Sequence, residues 1–217
     1  MSRSFPLAAV LAAVLLPSLS AAGIAAAQPA PMGTISVPAG HHTHDGFYVR
    51  GILGFNFTTL KSDTPEVKVS GPGGSAGLAL GYTVAPNLIV YAEIYDDLAV
   101  SPTVELMGAT AGTSDDTSAG VLGFGAGLAY YFMPVNVYVS ATLGASQVTV
   151  NDGDMEVASS KLGFGASVMV GKEWWVSSDW GIGAALKLFG GAMKDKGDNA
   201  PTWTGGAAAL MFSATFN

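Results

Sequence analysis

From residue 46 onward, positions taken two at a time separate into an oily row and a small-or-polar row. The clearest stretch places Leu122, Phe124, Ala126, Leu128, Tyr130 and Phe132 on one face. Gly123, Gly125, Gly127, Ala129 and Tyr131 fall on the other. A period of two is the mark of a strand with one apolar face. About eight such stretches follow one another, each near the ~9–11 residues that a tilted strand needs to cross a bilayer. In a water-soluble barrel the apolar face would turn inward. Here the opposite face is mostly Gly, Ala, Ser and Thr, too small and too uncharged for a good water-facing coat. The oily row is therefore assigned to lipid and the small row to a narrow interior.

The pattern predicts strands near 46–59, 75–84, 88–97, 122–132, 135–146, 160–174, 180–193 and 202–216. Polar loops are expected at 61–74, from 97 to about 118, at 151–159 and at 194–201. Tight turns are expected at Ala85-Pro86-Asn87, Met133-Pro134 and 176–179. Long and short connections alternate, as in outer-membrane barrels with long outer loops and short periplasmic turns. The fold class is all-β: an eight-stranded antiparallel up-and-down transmembrane β-barrel, preceded by a cleaved helical signal peptide.

The first residues support export. Arg3 supplies a positive start, residues 7–16 an apolar core, and Ala25-Ala26-Ala27 a small-residue cleavage site before Gln28. Three segments follow: signal peptide 1–27, flexible periplasmic tail 28–45, and outer-membrane barrel 46–217. Beyond the signal no apolar run reaches helix-spanning length, so insertion has to be by strands. There is no cysteine, hence neither a lipoprotein anchor nor a disulfide framework. Losing Arg3 takes the net charge from −7 to −8 and the basic count from 9 to 8, against 16 Asp and Glu. So acidic a chain is not a nucleic-acid binder.

Aromatic residues gather at the short-turn ends: Tyr82, Tyr130, Phe132, Trp174, Trp175, Trp180 and Phe216. Amphipathic rings belong at the lipid–water boundary, so these form the expected periplasmic girdle. The signal, the alternating strands and the aromatic-flanked last strand resemble the small eight-stranded outer-membrane barrels of the OmpA-transmembrane-domain, OmpX and OmpW type. That resemblance implies a Gram-negative cell-envelope protein, porin-like in architecture, located in the outer membrane. It also implies periplasmic chaperones and the barrel-assembly machinery as partners during biogenesis. Such barrels commonly end on Phe, whereas here Asn217 follows Phe216.

Eight strands leave an interior just wide enough for side chains to fill. Tyr91, Tyr95 and Tyr138 are expected to lie over the glycine strip of Gly123, Gly125 and Gly127. Arg50, Glu93 and Lys187 are inward by parity and form an expected lumen charge network, with Arg50 and Glu93 as an ion pair. Such charges have to pair or keep water, and the network reads either as a polar plug or as a gate. His41, His42 and His44 beside Asp45 are candidate metal ligands, with a solvated tail as the plainer reading. Asp152, Asp154 and Glu156 have calcium-loop spacing without an EF-hand turn pattern, which favours a solvated acidic loop.

Two function classes remain open. One is a structural or surface-interaction barrel with a side-chain-filled lumen, whose outer loops meet lipid, lipopolysaccharide or partners. The other is an OmpW-like narrow conduit for small, even apolar, solutes. A lipid hydrolase or acyltransferase needs a general base, usually His, near the outer rim. Every histidine here precedes the first strand, so an enzyme is not expected and no catalytic residue or cofactor is assigned.

Overall fold

The structure, a computed structural model, describes residues 42–113, 116–196 and 200–217. The signal peptide, His41 and most of the expected tail lie outside these residues. Eleven strands occur among them: β1 (Phe47–Asp63), β2 (Glu66–Ala85), β3 (Leu88–Val100), β4 (Thr103–Leu106), β5 (Ala109–Thr113), β6 (Thr117–Phe132), β7 (Val137–Asp152), β8 (Met155–Ser159), β9 (Gly163–Trp175), β10 (Trp180–Lys194) and β11 (Thr202–Phe216).

Eight of them close an antiparallel barrel in the order β1-β2-β3-β6-β7-β9-β10-β11, with β11 pairing back onto β1. Directly paired residues trace the stagger of that ring. From Arg50 the line runs through Ala79, Glu93, Gly125, Gly144, Gly165, Gly191 and Gly205, and it returns to β1 at Leu60. The closure is displaced ten residues along β1, from 50 to 60. At ~3.3 Å per residue and ~4.8 Å between strands, this tilts the strands by about 40°.

The inside-out arrangement holds strand by strand. On β1, Phe47, Leu53, Phe55 and Phe57 are exposed, while Tyr48, Arg50, Ile52 and Asn56 are buried. On β9, Phe164, Val168 and Val170 are exposed and Ser167, Met169 and Glu173 buried. Apolar side chains lie outward and polar ones inward, which suits a lipid surround.

The structure corrects the expected loops. Residues 61–74 are not a loop: β1 and β2 stay paired up to Asp63 and Glu66, so the first outer connection is a hairpin arm closed by Thr64 and Pro65. The long second loop contains β4 and β5, and β4 pairs with β2 beyond the point where β3 ends. The 151–159 segment contains β8, folded back on β7. Above the membrane the outward row turns polar, as at Thr59, Lys61, Glu66 and Lys68, so an oily outward row marks where the bilayer stops rather than where pairing stops.

Both described ends of the barrel lie beside the short turns, Val49 pairing with Phe216 and the Asn217 amide donating to the Asp179 carbonyl at 3.0 Å. A protease added to intact cells should therefore cut only in the outer connections, and never at 85–87 or 176–179. Leu128 is 53% exposed on the lipid face of β6, four residues in from its short-turn end. Leu128→Arg should lower refolding stability by about 2–4 kcal/mol if it sits near the bilayer midplane; urea titration in phospholipid vesicles reads the change.

Candidate functional site: the lumen and its periplasmic cap

The interior is packed in tiers. At the short-turn end, His44 is 2% exposed, and its ring stacks on Tyr131 with centroids 3.6 Å apart. His44 Nε2 hydrogen-bonds the Asn136 carboxamide oxygen at 2.8 Å. Trp175 packs against both His44 (5.1 Å) and His42 (5.2 Å). The segment before β1 is thus not a free tail at His44: it folds across the periplasmic mouth. Among the described residues no three or more His, Asp or Glu side chains converge as metal ligands would. Nε2 of His44 is engaged with Asn136 and the ring lies on Tyr131, His42 packs on Trp175, and His41 lies outside the described residues. Trp175 likewise leaves the lipid girdle for the mouth, whereas Tyr82, Tyr130, Phe132, Trp174 and Trp180 stay exposed and Phe216 is half-buried against Trp180.

Just inside the cap lies Glu173, 1% exposed. It accepts hydrogen bonds from Tyr131 (3.3 Å), Ser213 (3.0 Å) and Thr215 (2.7 Å). A buried carboxylate is tolerable when several donors converge on it. Sequence reasoning missed this residue, although the parity of β9 puts position 173 inward with 165, 167 and 169.

The middle tier holds Arg50 and Glu93, and the expected ion pair between them is not formed. The two face the same interior line, separated on the wall by Ala79 of β2. Each reaches instead to β7, which is diametrically opposite β1 in the ring. The Arg50 guanidinium donates to Ser140 at 3.4 Å and lies among the rings of Tyr138 (5.0 Å), Tyr91 (5.4 Å) and Tyr48 (5.8 Å). Cation–π contacts of this kind are worth more when desolvated. Thr142 donates to Glu93 at 2.6 Å and also contacts the Tyr91 hydroxyl at 2.9 Å. The small hydroxyl row of β7 offers both groups shorter reaches than they offer each other.

The upper tier contains the lumen's ion pair, Lys187 with Asp97, at 2.8 and 3.0 Å to the two carboxylate oxygens. Both side chains are essentially inaccessible, at 1% and 0%. Ser75 donates to Asp97 at 2.5 Å, Asn56 donates to Ser75 at 3.0 Å, and the Lys187 ammonium sits 4.7 Å over the Tyr95 ring. Parity places Lys187 inside but does not name its partner: Asp97 continues the inward parity of Tyr91, Glu93 and Tyr95 at the position where the oily pattern of that strand ends. Above the pair an apolar cluster that includes Leu60, Val69, Val121, Val148, Phe189, Met193 and Trp203 fills the outer end.

Glycines make room for these rings. A Cβ on Gly123 would fall 2.3 Å from Tyr95 Cζ, and one on Gly127 2.4 Å from Tyr91 Cζ. Those two tyrosines therefore lie on the strip as expected. Tyr138 does not: it covers Gly171 on β9, its direct cross-strand partner, and a Cβ on Gly125 would instead meet the Leu143 carbonyl. Outside the membrane, the acidic third loop is tied down. The Ser159 hydroxyl hydrogen-bonds Glu156 at 2.5 Å and, with Lys196 at 3.6 Å, holds its carboxyl below the usual range.

A closed eight-strand barrel with an apolar exterior and a polar, filled interior defines a small integral outer-membrane protein. The chain belongs to the outer membrane protein beta-barrel domain family, whose model matches residues 11–216. The protein is therefore located in the outer membrane. Among solved structures it is similar to Neisserial surface protein A, at 18% identity over 78% of this chain and 96% of that one, TM-score 0.51. It is also similar to OprG from Pseudomonas aeruginosa, at 14% identity over 82% and 99%, TM-score 0.46, and to Ail of Yersinia pestis, at 13% over 79% and 99%, TM-score 0.43. No curated protein sequence matches the chain.

Removing one partner of a buried ion pair leaves the other charge uncompensated. Lys187→Met should cost about 3–5 kcal/mol, and adding Asp97→Asn should recover much of it. Denaturant titration of the single and double variants measures both effects.

Proposed function

We propose that the protein acts at the cell surface as a plugged barrel that presents ordered outer hairpins, without catalysis of its own. The observation that carries this reading is the occupation of the lumen at every level: the His44 cap, the tyrosine cage around Arg50, the Lys187–Asp97 pair and the apolar cluster above. A permeant solute would have to displace a fully buried ion pair and several fully buried aromatic rings. On the outer side, the β1–β2 arm, the β4–β5 hairpin and β8 form pre-shaped strands. Preformed surfaces lose little entropy on contact. Their expected partners are the outer leaflet and molecules beyond it. A non-catalytic role is supported by the placement of His42 and His44, at the opposite end from those hairpins.

A narrow conduit is the second reading. Arg50 favours it: Nε and Nη1 are buried donors without a hydrogen-bond partner, a deficit that a polar solute held in the lumen would fill. β11, with Trp180 packed on Phe216 at 5.4 Å, is the segment we assign to recognition by the assembly machinery. Planar-bilayer recording on refolded protein separates the two functions. The plugged reading expects a current at baseline, and baseline still for Glu93→Gln, which only lowers stability. Stable openings in the wild type would establish the conduit.

A further inference from the structure

We propose that the outer edge of β5 takes up an extended basic peptide segment of a partner protein as an added strand. This rests on the reading of the protein as a plugged barrel that presents its outer hairpins, and it names their partner. The β4–β5 hairpin continues the β3–β6 ladder outward: Val100 pairs with Ser118, and further out Thr103 pairs with Thr113. The strand beside β6 is β7, and it stops at Asp152, opposite Thr117. There the chain turns back into β8, and the Gly153 amide donates to the Asp116 carbonyl at 2.8 Å, which sets this turn at the foot of β5. β5 therefore rises above its neighbour. It ends the sheet, and among the described residues no strand pairs with its far side. Five residues of edge, ~16 Å at ~3.3 Å each, stand over the β7–β8 turn as a wall stands over a ledge.

Wall and ledge select different parts of the occupant. Residues 106–113 read Leu-Met-Gly-Ala-Thr-Ala-Gly-Thr, without a charge or a proline. Natural sheet edges carry such residues to refuse a further strand, and the β1–β2 arm carries Lys61, Glu66 and Lys68. Leu106 and Ala109 pair across the two-residue turn of Met107 and Gly108, both at positive φ. By the alternation of an antiparallel ladder, Thr110 then turns its N–H and C=O to the open side. An extended peptide meets those groups with its own backbone, and its side chains decide which peptide is accepted. That choice falls to the ledge. Asp116, Asp152 and Asp154 are exposed around the foot of β5, and none of them enters the described ion pairs. Met155, beside them, is exposed as well. A segment with small or apolar residues along β5 and Lys or Arg at the end that reaches the ledge complements both surfaces, and an acidic segment is repelled.

The test uses the full chain refolded in phosphatidylcholine nanodiscs and a short fluorescent peptide of alternating Val and Thr that ends in Lys residues, with binding read by anisotropy. Wild type should bind it. N-methylation of the Val and Thr residues, or Glu in place of the Lys residues, should weaken binding by roughly tenfold or more. Thr110→Pro removes an outward N–H while sparing the bonds to β4, and should weaken it comparably. So should Asp116→Asn combined with Asp154→Asn. Glu66→Gln removes a carboxylate on β2, two strands from β5, and should bind as wild type. Heat-modifiable gel migration reports folding; if Thr110→Pro does not fold, the methylated peptide tests the same bonds on the unaltered protein. No binding of the Lys peptide, or equal binding of its methylated form, would overturn strand addition. A dimer that forms without peptide and is lost in Thr110→Pro would make a second copy the occupant and overturn the peptide assignment. Bilayer recording of the same refolded protein keeps the two readings apart, because a baseline current supports the plugged barrel whether or not the peptide binds.

Discussion

The constraint behind the whole molecule is that no backbone N–H or C=O can be left unpaired in hydrocarbon. A sheet meets it only by closing, and here closure is the β1–β11 ladder, fourteen paired positions from Val49–Phe216 to Ser62–Trp203. Ten residues of stagger set the tilt, and with only eight strands the lumen stays narrow. Everything inside then has to be built from side chains that fit one another.

That narrowness explains the unusual pairing of very large and very small inward residues. Gly125, Gly144, Gly165, Gly191 and Gly205 lie along one line of directly paired positions. Tyr95, Phe189, Met193 and Leu60 occupy the space they leave, each lying close to where a Cβ on one of those glycines would stand. The same crowding dries the charges. Lys187 has its carboxylate, Glu173 its three donors, and Arg50 a cage of rings in place of an ion pair. Buried charge is costly unless so compensated, and the compensation ties β1, β3, β7, β9, β10 and β11 together across the lumen.

Outside the bilayer the same strands serve another end. Once water can satisfy the backbone, closure is no longer required, and the ring opens into the β1–β2 arm with β4 and β5 added at its edge. The family match covers the barrel, and the outer hairpins continue its strands.

The alternation of side chains was enough to determine the fold class, the strand count and which face of each strand meets lipid, because a period of two maps directly onto the two faces of a sheet. Parity also put Arg50, Glu93 and Lys187 inside, and Tyr91 and Tyr95 beside the glycine strip. What parity lacks is any knowledge of the opposite wall. Whether Arg50 meets Glu93 or Ser140, and whether Lys187 meets Asp97, depends on stagger and on which strands stand across a diameter. The burial of His44 required the chain before β1 to fold over the mouth, a contact with Asn136 across 92 positions of sequence. The outer hairpins escaped notice for a different reason: beyond the bilayer the outward row turns polar while only short inward runs such as Val67 and Val69 stay apolar, so the lipid-facing row that marks the spanning strands is lost where pairing continues.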